Sequence, residues 1–214
     1  MKYVKMLGLA AVAAAALMAF VGASTASATV LCSEPGTGTP TGTTCPAGKA
    51  YGTATTGVHI HAVNTTTVKL DTTFKTVECT GSTITGDTNN EGGAGQSITG
   101  PEGTLTFTGC NCTVNVLKAG TLKIDWISGT HNGTLTSNGS EVTVSCSTIF
   151  GNVHCIYETT EDDLGDLTGG NPAIFHSTAV INKKPTSELC SKESTWTATY
   201  EVTEPKPLYV TDHT

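Results

Sequence analysis

The sequence contains no arginine: all 11 basic residues are Lys, and they face 18 acidic residues for a formal net charge of −7. Polyanion binding draws its affinity from Lys/Arg clusters, and without Arg the chain lacks the usual bidentate ligand for phosphate. Nucleic acid is therefore not an expected partner. Charge of either sign is scarce, at 14% of residues beside 37% hydrophobic, which fits neither a polytopic membrane protein nor a charged disordered chain. Aromatic residues are few: two Trp and five Tyr leave little to line a hydrolase cleft once a core is filled. The sequence has no Gly-x-Ser-x-Gly elbow, no Cys-x-x-Cys and, beyond residue 28, no stretch with a helical apolar stripe. Those absences speak against an esterase-type nucleophile, a closed structural zinc site and a helical fold.

What is abundant is Thr, about a fifth of the chain, and Gly, with 24 residues. Once the first 28 residues are set aside, β-branched residues and turn formers dominate over helix formers, the composition of an extracellular all-β protein. The opening segment is different. Lys2 and Lys5 give a positive start, Met6 to Val21 a nearly unbroken apolar run, and Ala26-Ser27-Ala28 a small-x-small cleavage site, so 1–28 reads as a secretory signal peptide. A membrane anchor fits less well, because the run is short and ends in Gly, Ser and Thr. A lipoprotein signal is also disfavoured, since bulky Leu31 precedes Cys32. Signal removal leaves a chain with a net charge of about −9 and no membrane-spanning segment.

All eight Cys lie beyond the cleavage site: Cys32, Cys45, Cys79, Cys110, Cys112, Cys146, Cys155 and Cys190. An even number in an exported chain reads as a disulfide framework. Cys32 and Cys45 are expected to close the Gly/Thr/Pro-rich segment 29–50 into a loop, ahead of a single all-β domain over 51–214. Cys110 and Cys112 share one strand face about 6.6 Å apart, too awkward a geometry for a mutual bond, so they need separate partners. A Cys146–Cys155 bridge is expected across a tight return. Cys79 and Cys190 then remain for Cys110 and Cys112, in either of two pairings.

From Tyr51 onward, short alternating stretches are separated by turn signals, the rhythm of an antiparallel, disulfide-stabilised β-sandwich or barrel. Two hairpins are expected. One turns at Lys118-Ala119-Gly120 and pairs Val116 with Leu122, Val114 with Ile124 and Cys112 with Trp126, leaving Lys123 and Asp125 to solvent. The other turns at Asn138-Gly139, a type I′ signal, and sets Leu135 against Val142. Gly86 to Gly103 reads as a long mobile loop. Trp196, Ala198, Tyr200 and Val202, alternating with Thr and Glu, read as a late core strand.

The stretches Thr106-Phe107-Thr108-Gly109-Cys110-Asn111-Cys112, Leu117-Lys118-Ala119-Gly120-Thr121-Leu122, Thr130-His131-Asn132-Gly133-Thr134-Leu135 and Cys146-Ser147-Thr148-Ile149-Phe150-Gly151 resemble exported Thr/Gly/Cys-rich proteins of soil actinobacteria. The resemblance runs from about Thr29 to Val210. It implies secretion and a β fold, and it transfers no activity and no catalytic residue.

Two constellations carry candidate chemistry. Val58-His59-Ile60-His61-Ala62 puts two imidazoles on one strand face, a spacing that suits copper or zinc. It resembles the His-x-His strand of copper–zinc superoxide dismutases, but the other metal-bridging motifs of that family are missing. His59 and His61 are thus weak ligand candidates, which His131, His154 or His176 would complete only if the fold gathered them. From Glu158 onward, Glu161, Asp162, Asp163 and Asp166 are hard oxygen donors of the type calcium takes, without the spacing of an EF-hand loop. Four Asn-x-Ser/Thr sequons, at Asn64, Asn111, Asn132 and Asn138, are about what chance gives in a chain this rich in Ser and Thr. The expectation is a secreted, non-catalytic module without a cofactor, structural or engaged with an extracellular or envelope component. A carbohydrate or small-ligand binder is the alternative, and a His-x-His metalloenzyme comes after it.

Overall fold

Thr alternating with Val, Ile, Leu or Tyr favours extended backbone, because branched side chains pack well on a pleated surface with one face buried. The computed structural model follows that rule and describes residues 29–38, 44–52, 57–88, 92, 95–149, 151–184 and 189–212. The expected signal peptide lies outside the described residues. Twelve strands form: β1 (Val30–Cys32), β2 (His59–Asn64), β3 (Val68–Asp71), β4 (Thr76–Asp87), β5 (Ile98–Cys110), β6 (Thr113–Lys118), β7 (Thr121–Trp126), β8 (Gly133–Thr148), β9 (Gly151–Thr168), β10 (Ala173–Lys183), β11 (Glu193–Glu204) and β12 (Tyr209–Thr211). The described residues contain no helix.

Every pairing among these twelve strands is antiparallel. β10, β9, β8, β7, β5, β4, β2 and β11 are successive neighbours, and β11 pairs back onto β10, so the strands close into a ring. β3 continues the line of β2 between β4 and β11. β1 and β12 form a separate two-stranded sheet that brings Val30 against Thr211. Leu31 is buried in the common core, so segment 29–50 is anchored to the domain as well as tied by Cys32–Cys45.

The inward parity places Ile84, Ile98, Ile124, Leu135, Val144, Leu164 and Phe175 inside the ring. Each such side chain contributes about 1.5–3 kcal/mol by leaving water. β11 matches its reading: Ala198, Tyr200 and Val202 are buried, and Tyr200 stacks on the opposite Phe175 with ring centroids 5.9 Å apart. On β2, Ile60 and Ala62 pack inward while His59 and His61 take the other face.

The two expected hairpins do not form. β6 and β7 run collinearly along β8: Val116 opposes Val142, and Ile124 opposes Leu135. The chain reverses between Trp126 and Gly133 instead. Trp126 therefore sits at the far end of this run from Cys112, half-buried, with its Nε1 donating to the Thr130 carbonyl at 2.9 Å. Gly120 has the expected positive φ of 85°, but it kinks a continuous run rather than turning it. At Asn138-Gly139 only the Gly has positive φ, at 76°, whereas a type I′ turn needs it at both residues. The β8 chain passes through with a register shift, so Leu135 and Val142 lie on one strand rather than across a turn. The two kinks interlock: a Cβ on Gly120 would lie 2.5 Å from the Ser140 nitrogen and 2.7 Å from the Asn138 carbonyl oxygen.

The expected long loop is shorter. Gly86 ends up in β4 and Ile98 to Gly103 in β5, where Ile98, Gly100 and Glu102 keep strand alternation with their buried positions. β5 pairs with β7 through Pro101 and with β4 from Glu102 onward, with Gly103 as a bulge residue.

All eight Cys are paired, as Cys32–Cys45, Cys79–Cys110, Cys112–Cys146 and Cys155–Cys190. The framework of four disulfides suits an oxidising compartment. Cys110 and Cys112 take separate partners as expected, and Cys79 pairs with Cys110, one of the bonds left open, but the Cys146–Cys155 bridge is overturned, and with it the pairing of Cys190 within the remaining four. Thr148 opposes Gly151, so Cys146 faces Val153 and Cys155 faces Val144. The two sulfurs are diagonal neighbours on the ladder, where Cα atoms stand about 7–8 Å apart, beyond disulfide reach. With only Asn111 between them, Cys110 ties the end of β5 to β4 and Cys112 ties the start of β6 to β8.

Candidate functional site

Regular pairing breaks at Ala119-Gly120 between β6 and β7, and bulges interrupt β8 at Gly139-Ser140 and β9 at Glu161, all at one level of the ring. A bulge bends its strand and tightens the local twist. The outer face is concave there, forming a groove of about 470 Å³ lined by Thr99, Thr121, Lys123, Thr136, Asn138 and Glu161 over the backbone of Gly100, Leu122 and Ser137. Strand register orders the outward side chains. Thr99, Lys123 and Thr136 stand in one row across β5, β7 and β8, and Thr121 and Asn138 in the next. Lys123 is held by Asp125 at 2.8 Å, and the Thr121 hydroxyl donates to the Asn138 carbonyl at 3.3 Å. Glu161 is the unpaired bulge residue between Thr160 and Asp162, with φ of 64° in the left-handed region, the only described residue other than Gly held there.

Beneath the groove lies a buried polar cluster. Glu102 is 6% exposed, and the Ser140 Oγ lies 2.7 Å from its Oε2. The Ser140 hydroxyl also contacts the Ala119 carbonyl. Ser137 Oγ is 2.9 Å from both Ser140 Oγ and Thr159 Oγ1, and Thr159 Oγ1 accepts the Ser140 N–H at 3.0 Å. Ser140 has one hydroxyl proton, so it satisfies both carbonyl-type oxygens only when Glu102 carries a proton and donates back. Burial drives the same way, pushing the Glu102 carboxyl up to about 7 against the opposing pull of the Ser140 hydrogen bond. Glu102 also borders an interior cavity of about 70 Å³ with Tyr157 and Trp196, whose phenol oxygen and indole nitrogen have no hydrogen-bond partner among the described residues.

The expected metal ligands are dispersed. His59 Nδ1 lies 2.9 Å from Asp87 Oδ1, and His61 Nδ1 lies 2.6 Å from Thr203 Oγ1. His154 contacts Ser145, His176 contacts Thr199, and His131 packs edge-on to Tyr209. On β9, Asp162 Oδ2 accepts the Thr160 N–H and Asp163 Oδ1 the Gly165 N–H, each at 3.0 Å, while Asp166 stands opposite Thr134. Among the described residues no three His, Cys, Asp or Glu side chains come together as a metal site. Only Glu161 of the acidic run reaches the groove.

Sequence reasoning missed Glu102, Thr99, Thr121, Thr136 and Asn138 as a set. Glu102 carried a usable signal, since the inward parity of Ile98 and Gly100 extends to it. The groove residues carried none, because exposed Thr and Asn are common throughout the chain and only the shared level of the three breaks in pairing brings these together. Comparison with protein-family models, curated proteins and solved structures finds no match to this chain.

Proposed function

We propose that this protein is a secreted, non-catalytic interaction module that works in the cell envelope or the surrounding medium. The observation that carries the reading is the groove of about 470 Å³ on the kinked face of the ring. Its volume falls in the range of about 300–1,000 Å³ typical of small-ligand sites, and it is built on strands rather than on loops. The disulfides support export, and the ladder pairing of β5, β7, β8 and β9 holds the groove pre-formed, which lowers the ordering cost of binding. The partner is an extracellular or envelope component recognised by polar contacts.

The reading is tested by melting the oxidised protein in the presence of neutral saccharides, short peptides or phospholipid vesicles, with mass spectrometry of each mixture. A saturable rise in melting temperature with one class, and no chemical change in the added compound, is expected. No shift with any class, or conversion of the added compound to a product, would overturn it.

A further inference from the structure

We propose that the groove between β5, β7, β8 and β9 is a binding site for a neutral saccharide, with Glu161 as its anchoring acceptor. This deepens the interaction-module reading and rests on it. Three features of the groove point to the ligand class. Its lining combines hydroxyls, a primary amide, a carboxylate and one ammonium group, with Leu122 as the one large apolar residue. That mixture matches a polyhydroxylated ring, whose adjacent hydroxyls donate to carboxylate and amide oxygens and accept from amide and ammonium hydrogens. A phosphate or a polyanion is disfavoured, because Lys123 is the one cation lining the groove and Asp125 already neutralises it. An extended peptide is disfavoured as well, because β7 and β8, at the middle of the groove, have backbone partners on both sides, leaving no free edge there to augment.

The second line is the backbone of Glu161. Left-handed geometry costs a residue with a Cβ about 1–2 kcal/mol, and Gly would remove the penalty. The chain keeps a long carboxylate side chain there, and among the described residues neither that carboxylate nor the side-chain amide of Asn138 has a hydrogen-bond or ion-pair partner. Strain retained at an unengaged polar side chain on the rim of a ligand-sized groove is the arrangement expected when the side chain serves a ligand rather than the fold. The row of Thr99, Lys123 and Thr136 then lies along one side of the sugar, with Asn138 and Glu161 on the other.

The test pairs affinity with stability. The oxidised wild-type protein, Glu161→Gly and Asn138→Ala are titrated calorimetrically with maltose, cellobiose and diacetylchitobiose. Their melting temperatures are recorded without sugar. One of the three disaccharides is expected to bind the wild type saturably. Glu161→Gly should melt higher than the wild type, because the strain is relieved, yet bind at least about tenfold more weakly, the loss expected for one hydrogen bond to a charged group. Asn138→Ala should weaken binding with little change in melting. No saccharide binding to the wild type, while a peptide or vesicle still shifts its melting, would overturn this inference and leave the interaction-module reading standing. Undiminished binding by Glu161→Gly would remove Glu161 from the site and equally overturn it.

Discussion

Replacing Glu102 by Gln isolates a single buried proton. In an unfolded chain a Glu carboxyl titrates near 4.3, whereas burial holds that of Glu102 at about 7 in the folded protein. Between those values the unfolded state releases the proton and the folded state keeps it. Folding stability therefore falls as pH rises through this window, by about 1.4 kcal/mol per pH unit. The loss is absent below about pH 4.3, reaches about 3–4 kcal/mol near pH 7 and stays constant above it. Gln keeps the shape, and its amide can donate to Ser140 Oγ as the protonated acid does, but it cannot ionise. Urea unfolding at pH 4, 5, 6, 7 and 8 gives the difference in stability between Glu102→Gln and wild type. Groups present in both proteins cancel in this difference, including Glu141, whose carboxyl is held low by its hydrogen bonds to Lys118 and Lys184. The difference should start near its baseline at pH 4 and grow in favour of the variant by about 3 kcal/mol at pH 8. A difference that is flat with pH, or that grows in favour of the wild type, would refute the argument that a neutral carboxyl sits in this cluster.

The interlocked kinks and the disulfide register are open to equally direct checks. Gly120→Ala should cost about 2–4 kcal/mol, because its Cβ strikes the backbone of Ser140 and Asn138, while Gly139→Ala, with nothing within 4 Å of its Cβ, should cost only the left-handed penalty of about 1 kcal/mol; urea unfolding measures both, and equal losses would contradict the packing of the two kinks. The double variant Cys112→Ser/Cys146→Ser should retain no free thiol when denatured without reductant, and it should lose about 3–4 kcal/mol for a bridge spanning 34 residues. By contrast, Cys146→Ser/Cys155→Ser should show two titratable thiols, from Cys112 and Cys190, and a thiol count of zero there would restore the bridge read from the sequence.

The all-β class, the alternation of β2 and β11 and the cystine framework were legible because each rests on local period or on count. Partner choice was not. A Gly at positive φ serves a tight turn and a bulge equally well, so Gly120 and Gly139 gave the same local signal that two hairpins would give. What decides is the unbroken length of β8, which offers β6 and β7 a common partner, and that is a long-range fact. Once the return at Thr148–Gly151 is fixed two residues from where a Cys146–Cys155 bridge needs it, the remaining disulfides rearrange together. Gly100-Pro101-Glu102-Gly103 looked like a loop because its residue types favour turns. Yet the parity running from Ile98 already placed Glu102 inside. The groove was the least legible feature, since Asn138 and Glu161 lie far apart along a bent pair of strands and meet only through two register shifts.

That the kinked face of β5, β7, β8 and β9 holds a partner is the central claim. Residue-resolved amide shifts of the labelled, oxidised protein, recorded during titration with the tightest-binding disaccharide, test that claim directly. The largest changes should fall on Thr99, Thr121, Lys123, Thr136, Asn138 and Glu161, with His59 and His61 unmoved. Changes centred on His59 and His61, or on Tyr157 and Trp196 in the interior, would contradict it.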